Sequence, residues 1–507
     1  MRTNHLRPLR GLPRFCVETV CRRLTALTAA AALLALLALA PGAAGAQLSA
    51  GDIVVADPNA FGGDGGLIAV NPASGGERPI SNNDISDQKL FRDPTGVVFD
   101  PRSGTIVVAD PNAFGGSGGV IRVDPASGQQ TPLSSNMTSL PLFVDPVGVT
   151  LTPRGSLLVV DSGAGGGSGA VIEVDPATGQ QSLLSSNAKS PTPLFAHPNG
   201  IAREPGGTIV VADPSTPAPA SGTDGAIIAV DPDTGAQRLI TSNDASQAEL
   251  LADPLGVAIE TPGTLLVANT ASDPASDGVI LVNRSSGQQY PLATEGIFAA
   301  PSAIAMDLDG KAVVADSEAF GGSGGVIRVD PVTGATSVVA GDPSAPGALF
   351  ADPAGITVVP PTCLGRYATI VGTEAADALT GTPGPDVISA RGGDDIVDGK
   401  QGGDLVCGDE GRDRLVGHDG NDRFLGGPGA DVVLGGAGRD WVKGQTGGDR
   451  VDGGGGADRL YGQQKGDGLV GGAGDDLLRG GPGRDRLRGG PGRDRLRGGP
   501  GKDIERQ

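Results

Sequence analysis

The sequence predicts an all-β chain, a six-bladed β-propeller followed by a parallel β-roll. A nine-residue repeat fills the last quarter of the 507 residues, and a repeat of about fifty residues fills the middle. The strands of the longer repeat come to six of each type, which predicts a closed ring. Aromatic residues make up only 3% of the chain and glycines number 86, which indicates an aliphatic core built from many short strands.

The N-terminal 46 residues form a segment of their own. Arginines including Arg22 and Arg23 precede an apolar run from Leu24 to Ala40, and the small residues Ala44-Gly45-Ala46 follow. This order predicts a secretory signal peptide at residues 1–46, cleaved after Ala46. An uncleaved membrane anchor is the alternative, and the shortness of the apolar run disfavours it. We therefore expect a secreted, extracellular protein with no membrane span in its mature form.

The repeat of the middle region is marked by an apolar strand that ends in an acid or amide. Its six copies are Ile53 to Asp57, Ile106 to Asp110, Leu157 to Asp161, Ile209 to Asp213, Leu265 to Asn269 and Val313 to Asp316. Each unit contains four predicted strands: one after a D-P-x-G turn, the marker strand, one after a glycine-rich loop, and a polar fourth. The third and fourth strands are joined by turns such as Asn71 to Gly75 and Asp124 to Gly128. Proline presets these turns and the last glycine supplies positive φ, so they predict hairpins.

The strand count distinguishes a closed ring from an open array. The chain enters at Asp52 directly on a marker strand, and the missing first strand appears at the far end, after Asp352-Pro353-Ala354-Gly355. A chain that starts one strand late and supplies that strand last closes a ring and leaves no open edge. We therefore predict a six-bladed propeller over residues 47–360. A right-handed β-solenoid is the structural alternative.

Fifteen blocks of nine residues run from Gly372 to Arg506 without insertion or deletion, and they predict the β-roll at residues 372–507, after a linker at 361–371. Glycine occupies place one in all blocks but one and place four in all but two, and it is frequent at place two. The eighth place is apolar from Leu379 to Leu496. The sixth place is always aspartate: Asp377, Asp386, Asp395, Asp404, Asp413, Asp422, Asp431, Asp440, Asp449, Asp458, Asp467, Asp476, Asp485, Asp494 and Asp503.

Two such blocks make one turn of a parallel β-roll, so aspartates two blocks apart stack along each edge. Stacked carboxylates repel unless a cation lies between them, and Ca²⁺ accepts six to eight oxygen ligands in flexible geometry. All fifteen aspartates are therefore predicted Ca²⁺ ligands. A disordered Gly/Asp-rich linker is the alternative, but the phasing of apolar residues argues against it. The pattern G-G-x-G-x-D-x-U-x resembles that of the RTX (haemolysin-type) calcium-binding proteins.

The middle region resembles the NHL and SMP-30/gluconolactonase-like propellers, in segments such as Asp145-Pro146-Val147-Gly148-Val149 and His197-Pro198-Asn199-Gly200-Ile201. The resemblance implies that the variable residue of each P-x-G turn faces the ring centre, where the hydrolases of this family hold a catalytic divalent metal. The six variable residues are Thr95, Val147, Asn199, Leu255, Ser302 and Ala354. Only Asn199 matches the family's ligands, and one amide cannot hold a metal alone.

Other candidate sites have weak support. The aspartates before the prolines could form an acidic rim, but we expect each to cap its own turn. The G-x-S-x-G pattern of Gly115 to Gly119 and of Gly321 to Gly325 requires a strand-to-helix elbow and a histidine partner, and neither is evident. We therefore predict no catalytic residues. The alternative is a secreted hydrolase or lyase of the SMP-30/gluconolactonase type that uses Asn199, His197 and Asp145.

The net charge limits the classes of binding partner, and the cysteine content predicts a disulfide. The formal net charge of −20 argues against nucleic acid or an anionic membrane surface. Cys363 and Cys407 are the only cysteines after the signal peptide, so in an oxidising exterior we predict a disulfide between them. The sequence as a whole predicts a secreted calcium-binding protein whose roll folds on extracellular Ca²⁺ and whose propeller is a non-catalytic scaffold for an unknown extracellular ligand.

Overall fold

The computed structural model describes residues 47–137, 141–215, 225–243, 249–270, 277–294, 296–341 and 348–507. The predicted signal peptide lies outside these residues. No helix in the described ranges is long and apolar enough to cross a membrane. In the part of the chain that the structure describes, all regular structure is β except for four single-turn segments. These are α1 (Ala60–Gly63), α2 (Ala113–Gly116), α3 (Ala164–Gly167) and α4 (Ala319–Gly322).

Twenty-four strands build the N-terminal part. They are β1 (Ile53–Asp57), β2 (Gly66–Val70), β3 (Glu77–Asn82), β4 (Gly96–Asp100), β5 (Thr105–Asp110), β6 (Gly119–Val123), β7 (Gln130–Ser135), β8 (Pro146–Leu151), β9 (Leu157–Asp161), β10 (Ala170–Val174), β11 (Gln181–Ser186), β12 (Ile201–Arg203), β13 (Ile209–Asp213), β14 (Ala226–Val230), β15 (Gln237–Ser242), β16 (Asp253–Thr261), β17 (Thr264–Thr270), β18 (Gly278–Asn283), β19 (Gln289–Ala293), β20 (Pro301–Met306), β21 (Ala312–Asp316), β22 (Gly325–Val329), β23 (Thr336–Ala340) and β24 (Gly355–Val358).

These strands form six four-stranded antiparallel sheets, which confirms the six-bladed propeller. Five blades take four consecutive strands each. The remaining blade has the order β24-β1-β2-β3, with Ile53 opposite Val358 and Ala56 opposite Gly355. The last strand of the ring therefore pairs with the first, as the permuted count predicts. Apolar side chains between neighbouring blades, such as Val54, Leu67 and Ile106, are fully buried.

The six marker strands coincide with β1, β5, β9, β13, β17 and β21, and their last acid or amide is fully buried. These terminal residues hold the D-P-x-G turns. Asp110 Oδ2, for example, accepts the backbone N–H groups of Arg92 and Asp93 at 2.7 and 3.1 Å.

The expectation that the aspartate before each proline caps its own turn is wrong. Asp93 and Asp352 instead accept side-chain N–H groups from Asn112 and Asn59. The buried acid of the marker strand already accepts the N–H groups of the turn, so the half-buried acid before the proline bonds across to another loop.

Eighteen further strands follow. They are β25 (Thr362–Cys363), β26 (Arg366–Tyr367), β27 (Ile370–Val371), β28 (Ala378–Thr380), β29 (Val387–Ser389), β30 (Ile396–Asp398), β31 (Leu405–Cys407), β32 (Arg414–Asp419), β33 (Arg423–Pro428), β34 (Val432–Ala437), β35 (Trp441–Thr446), β36 (Arg450–Gly455), β37 (Arg459–Gln464), β38 (Gly468–Ala473), β39 (Leu477–Arg479), β40 (Arg486–Arg488), β41 (Arg495–Arg497) and β42 (Ile504–Arg506).

Strands β27 to β42 form a parallel β-roll of two eight-stranded sheets, which confirms the predicted class. The odd sheet has the order β27-β29-β31-β33-β35-β37-β39-β41, and the even sheet runs from β28 to β42 in the same alternate manner. Paired residues are eighteen apart, as in Phe424 opposite Val442. The eighth-place side chains from Ile388 to Leu487, including Phe424 and Val442, are buried between the sheets. Two nine-residue blocks therefore make one turn.

The short β25–β26 hairpin lies between the two parts and packs on both. Tyr367 packs edge-on against Phe99 of the propeller, with ring centroids 4.7 Å apart. Cys363 is bonded to Cys407 of β31, with Cα atoms 5.7 Å apart, and both are buried beside Val387 and Leu405. The hairpin thus covers the outer face of the first strands of the odd sheet.

The disulfide in the purified protein stays a prediction. We expect non-reduced, alkylated protein to contain a Cys363–Cys407 peptide pair by mass spectrometry. The paired replacement Cys363→Ser and Cys407→Ser should lower the free energy of unfolding of the roll by about 3 to 4 kcal/mol, because the closed loop restricts the unfolded chain. Two alkylated thiols in non-reduced wild-type protein would contradict the pairing.

Candidate metal sites and central channel

The centre of the propeller is a channel mouth of about 240 Å³ lined by the P-x-G turns and the strands that follow them. Its hydroxyl groups are engaged with the backbone. Thr95 Oγ1 donates to the Val147 carbonyl at 3.1 Å, and Ser302 Oγ donates to the Pro353 carbonyl at 2.6 Å. Asn199 is half-buried and lines the channel. It is the one side-chain amide among the lining residues.

The other two residues of the enzyme alternative are placed differently. His197 is exposed and outside the channel lining, and its backbone N–H donates to buried Asp213 at 3.0 Å. Asp145 accepts a hydrogen bond from the Ser162 hydroxyl. The structure therefore does not bring Asn199, His197 and Asp145 together. The serines of both G-x-S-x-G segments cap α2 and α4 through their backbone N–H groups.

The two edges of the roll each carry a row of aspartates. Along both rows, each aspartate donates its backbone N–H to Oδ1 of the aspartate eighteen residues later, as Asp404 does to Asp422 at 2.8 Å and Asp422 does to Asp440 at 2.9 Å. Eight members form the row from Asp377 to Asp503, and seven form the row from Asp386 to Asp494. One oxygen of each carboxylate from Asp395 onward thus holds the preceding turn in register.

The second oxygen of most of these carboxylates has no hydrogen-bond partner although it is buried. This is so for Oδ2 of twelve aspartates: Asp395, Asp404, Asp413, Asp422, Asp431, Asp440, Asp449, Asp458, Asp467, Asp476, Asp485 and Asp494. Burying a carboxylate oxygen without a donor or cation is strongly unfavourable. Cations bound along the two rows would provide these oxygens with the partners that they lack.

Glycine at place one leaves the space in which each Oδ2 lies. A Cβ atom on Gly417 would come within 2.3 Å of Asp422 Oδ2 and 2.5 Å of the Gly435 carbonyl oxygen. The carboxylate and the backbone carbonyl of the next turn therefore point into one small cradle. No group of three or more His, Cys, Asp or Glu side chains suited to a metal occurs among the described residues, so backbone carbonyls would supply the remaining ligands.

The first two aspartates differ from the rest. Thr373 donates both its backbone N–H and its hydroxyl to Asp377 Oδ2, and Thr382 does the same for Asp386 Oδ2, at 2.6 and 2.9 Å in each case. Threonine at place two thus satisfies the oxygen that is unpartnered in later blocks. Asp503, in the last block, is half-buried because no further turn covers it. The structure therefore makes twelve of the fifteen predicted ligands available in the same way.

The two parts of the chain resemble different known proteins. The family model for the RTX calcium-binding nonapeptide repeat (4 copies) matches residues 371–406, 408–442, 434–464 and 470–505. The C-terminal part of this chain is an array of RTX calcium-binding repeats. RTX nonapeptide repeats bind Ca²⁺. No curated protein sequence matches the chain.

Solved structures resemble the propeller at low sequence identity. A gluconolactonase from Xanthomonas campestris has 17% identity and a TM-score of 0.37, over 54% of this chain and 77% of its own. Regucalcin, a calcium-binding protein from Agrobacterium tumefaciens, has 18% identity and a TM-score of 0.36, over 51% and 76%. A putative 6-phosphogluconolactonase from Bacteroides uniformis has 14% identity and a TM-score of 0.40, over 61% and 99%. Similarity this low carries no inference about activity.

Burial of the RTX carboxylates changes their protonation when no metal is bound. Burial first, and repulsion by aspartates of the same row second, raises the pKa of Asp404, Asp413, Asp440 and Asp467 to about 7. The same causes raise the pKa of Asp431 and Asp458 to about 6. The ordinary value is 3.8, so the metal-free folded roll binds more protons than the unfolded chain.

A pH dependence of the metal-free RTX array follows from these pKa values. Raised folded-state pKa values stabilise the roll below about pH 4, and this stabilisation is lost as pH rises through 6 to 7. In metal-free buffer, we therefore expect the roll to be more folded at pH 5 than at pH 8. Fluorescence of Trp441, the only tryptophan, reports on the roll within the full chain. Identical emission spectra at both values would contradict this expectation.

Proposed function

We propose that this chain is a secreted calcium-binding protein whose RTX array folds when it meets extracellular Ca²⁺. In this proposal the propeller is a non-catalytic scaffold that presents a binding surface to an extracellular ligand not yet known. The observation that carries the proposal is the set of twelve buried, unpartnered aspartate oxygens along the two edges of the roll. Without a cation these oxygens oppose folding, so the free energy of calcium binding becomes free energy of folding.

The composition of the roll supports the same coupling. Each nine-residue block from Ile388 to Leu487 contributes one buried apolar residue to the core of the roll, such as Leu460 or Leu469, and the blocks are rich in glycine. Ordering glycine costs more conformational entropy than ordering any other residue. So little apolar burial per block does not offset that entropy, and calcium must supply the difference. The propeller has a dense aliphatic core and no equivalent requirement.

A calcium titration of residues 47–507 tests the proposal. Trp441 emission should report a cooperative transition with a midpoint at about 10⁻⁴ to 10⁻³ M Ca²⁺, the range of extracellular modules. Mg²⁺ should substitute poorly because it retains water and requires octahedral geometry. The propeller's thermal unfolding, followed by circular dichroism in chelator, serves as the internal control and should change little. A roll already folded in chelator at pH 8 would overturn the mechanism.

Secretion rests on the N-terminal sequence pattern. We expect material recovered from the medium to begin at Gln47, since Ala44 and Ala46 supply the small residues that signal peptidase requires. N-terminal analysis or intact mass decides this. A mature chain that retains Leu24 to Ala40 would contradict it.

The scaffold role of the propeller is tested at the channel. We expect Asn199→Ala and His197→Ala to leave ligand binding and any lactone hydrolysis largely unchanged. The reason is that the Asn199 amide has no converging ligand in other blades and His197 is exposed outside the channel lining. Assays with simple lactones and added divalent metals provide the measurement. A large loss of hydrolysis in either variant would favour the alternative, a secreted hydrolase or lyase of the SMP-30/gluconolactonase type.

A further inference from the structure

The outer face of the odd sheet carries six cations and no acid from β33 to β41. These residues occupy places seven and nine of their blocks, whose side chains point away from the roll core. They are Arg423, Lys443, Arg459, Arg479, Arg495 and Arg497. We call this surface the cation face. The outer face of the even sheet differs, since it includes the acids Asp398 and Asp452 among its cations.

Successive cations alternate from side to side along the cation face. Arg423 lies at place seven of its strand, Lys443 at place nine of the next and Arg459 at place seven of the third. Arg479 follows at place nine, and the last strand carries both Arg495 and Arg497. Since neighbouring strands are about 4.8 Å apart, the face presents at least one positive charge per strand spacing in a zigzag.

These charges are not neutralised within the protein. In the fully described stretch 348–507, none of the six cations forms a salt bridge, although the chain has a net charge of −20. Arg479 and Arg497 are opposite each other on adjacent strands, and both are exposed. Like charges on neighbouring strands are destabilising unless an anion lies between them.

Two aromatic rings lie in the middle of the cation face. Trp441 and Tyr461 are half-buried, with ring centroids 6.3 Å apart. Arg423 and Lys443 lie over the Trp441 ring, 4.9 and 4.8 Å from its centroid. Cation–π contacts of this kind hold the charged groups against the sheet. The face is therefore flat, aromatic at its centre and positively charged throughout.

We propose that the cation face binds an extended, carboxylated polysaccharide. Each sugar of a linear β-1,4-linked polyuronate advances the chain by about one strand spacing and carries one carboxylate. In a two-fold ribbon, successive carboxylates point to opposite sides, which matches the alternating cations. Trp441 then holds Arg423 and Lys443 in position to meet the carboxylates. The proposal rests on the calcium-folded roll and goes beyond it by naming the ligand class of one surface.

Two other polyanions fit this surface less well. A single-stranded nucleic acid binds through bases stacked on free aromatic faces, but cations already cover Trp441. An anionic membrane favours protruding apolar side chains, and the face contributes none of the large exposed apolar residues in the described part of the chain. Both ligands serve as competing outcomes in the test.

The test uses residues 47–507 at saturating Ca²⁺, with Trp441 fluorescence as the readout. The ligand is a β-1,4-linked hexaglucuronate, and cellohexaose is the uncharged match. The test variant combines Arg459→Gln, Arg495→Gln and Arg497→Gln, which form no cation–π contact within residues 348–507. The control variant combines Arg450→Gln, Arg486→Gln and Arg488→Gln, which occupy the same places one block earlier on the even sheet. Both triples remove equal charge.

We expect hexaglucuronate to bind and cellohexaose to have no effect at the same concentration. The test variant should bind about tenfold more weakly, since three exposed charge contacts are lost, while the control stays within about twofold of wild type. Added salt should weaken wild-type binding. An unchanged calcium midpoint in the test variant separates lost binding from lost folding. Equal losses in both variants, absence of binding, or equally tight binding of oligodeoxythymidylate or phosphatidylglycerol vesicles would overturn the proposal.

Discussion

Replacing Gly438 and Gly456 with alanine is expected to prevent calcium-dependent folding of the RTX array. Both glycines occupy place four, with φ of 142° and 140°. A Cβ atom on Gly438 would lie 1.5 Å from the Gly420 carbonyl oxygen, and one on Gly456 would lie 1.4 Å from the Gly438 carbonyl oxygen. Because the atoms they would meet belong to the backbone of the preceding turn, no side-chain movement relieves the clash. We expect at least about 3 kcal/mol per site.

A matched double variant controls for the loss of glycine itself. Gly448 and Gly468 lie in the same part of the roll, have ordinary φ values, and would place a new Cβ no closer than 3.4 and 3.8 Å to any neighbour. Gly448→Ala with Gly468→Ala should therefore leave the calcium midpoint within about twofold of wild type. Lys465 also occupies place four of its block, but its φ is 77°, and a side chain is accommodated there. The clash at Gly438 and Gly456 therefore depends on their larger φ values. Similar calcium midpoints for both double variants would contradict the packing argument.

Replacing Asp422, Asp431 and Asp440 with alanine should raise the calcium midpoint by at least about tenfold. Each of these carboxylates links two neighbouring turns, since Oδ1 accepts an N–H from the turn before and Oδ2 is buried and unpartnered. Removing three from the middle interrupts both rows and divides the array. Trp441 lies between these positions and the C-terminus, and the calcium-dependent change in its emission measures the midpoint.

The control removes the same number of aspartates from the end of the array. Asp485→Ala, Asp494→Ala and Asp503→Ala should raise the midpoint much less, because no further turn follows and these sites fray first. Neutralisation of these aspartates by the neighbouring Arg484, Arg486, Arg493 and Arg495 is a second possible cause. In the structure these arginines are exposed and none forms a salt bridge within residues 348–507, so the missing next turn is the better cause. A larger shift for the terminal triple would refute the reasoning.

Much of the fold was predictable because both repeats keep their phase. In the roll, every eighth place from Leu379 to Leu496 is apolar, so a single inward direction follows from counting. In the propeller, the strand count predicted that β24 would pair with β1 across the termini, and it does. One turn was missed: Asn283 to Gly287 has the same geometry as the other five but lacks their proline. The Asn and the final Gly were the signal that could have found it.

The candidate sites were predictable only in part. The sequence placed fifteen aspartates at equivalent positions, and it could not distinguish their oxygens. The threonines at Thr373 and Thr382 are visible in the sequence, but whether a hydroxyl reaches a carboxylate four residues away depends on how the turn folds. The marker-strand acids, such as Asp110, were likewise seen as strand ends and proved to be the caps of the D-P-x-G turns.

The sequence by itself therefore determined the strand periods, the ring of six, the two-block turn of the roll and the choice of calcium, because each follows from residue type at a fixed spacing. Only the tertiary structure decided which twelve carboxylate oxygens remain without donors, how the β25–β26 hairpin covers Cys407, and that six cations share one acid-free face. The physical reason is that these features depend on atoms brought together across turns eighteen or more residues apart. Spacing along the chain predicts which residues share a face. Burial and hydrogen bonding depend on what packs against that face.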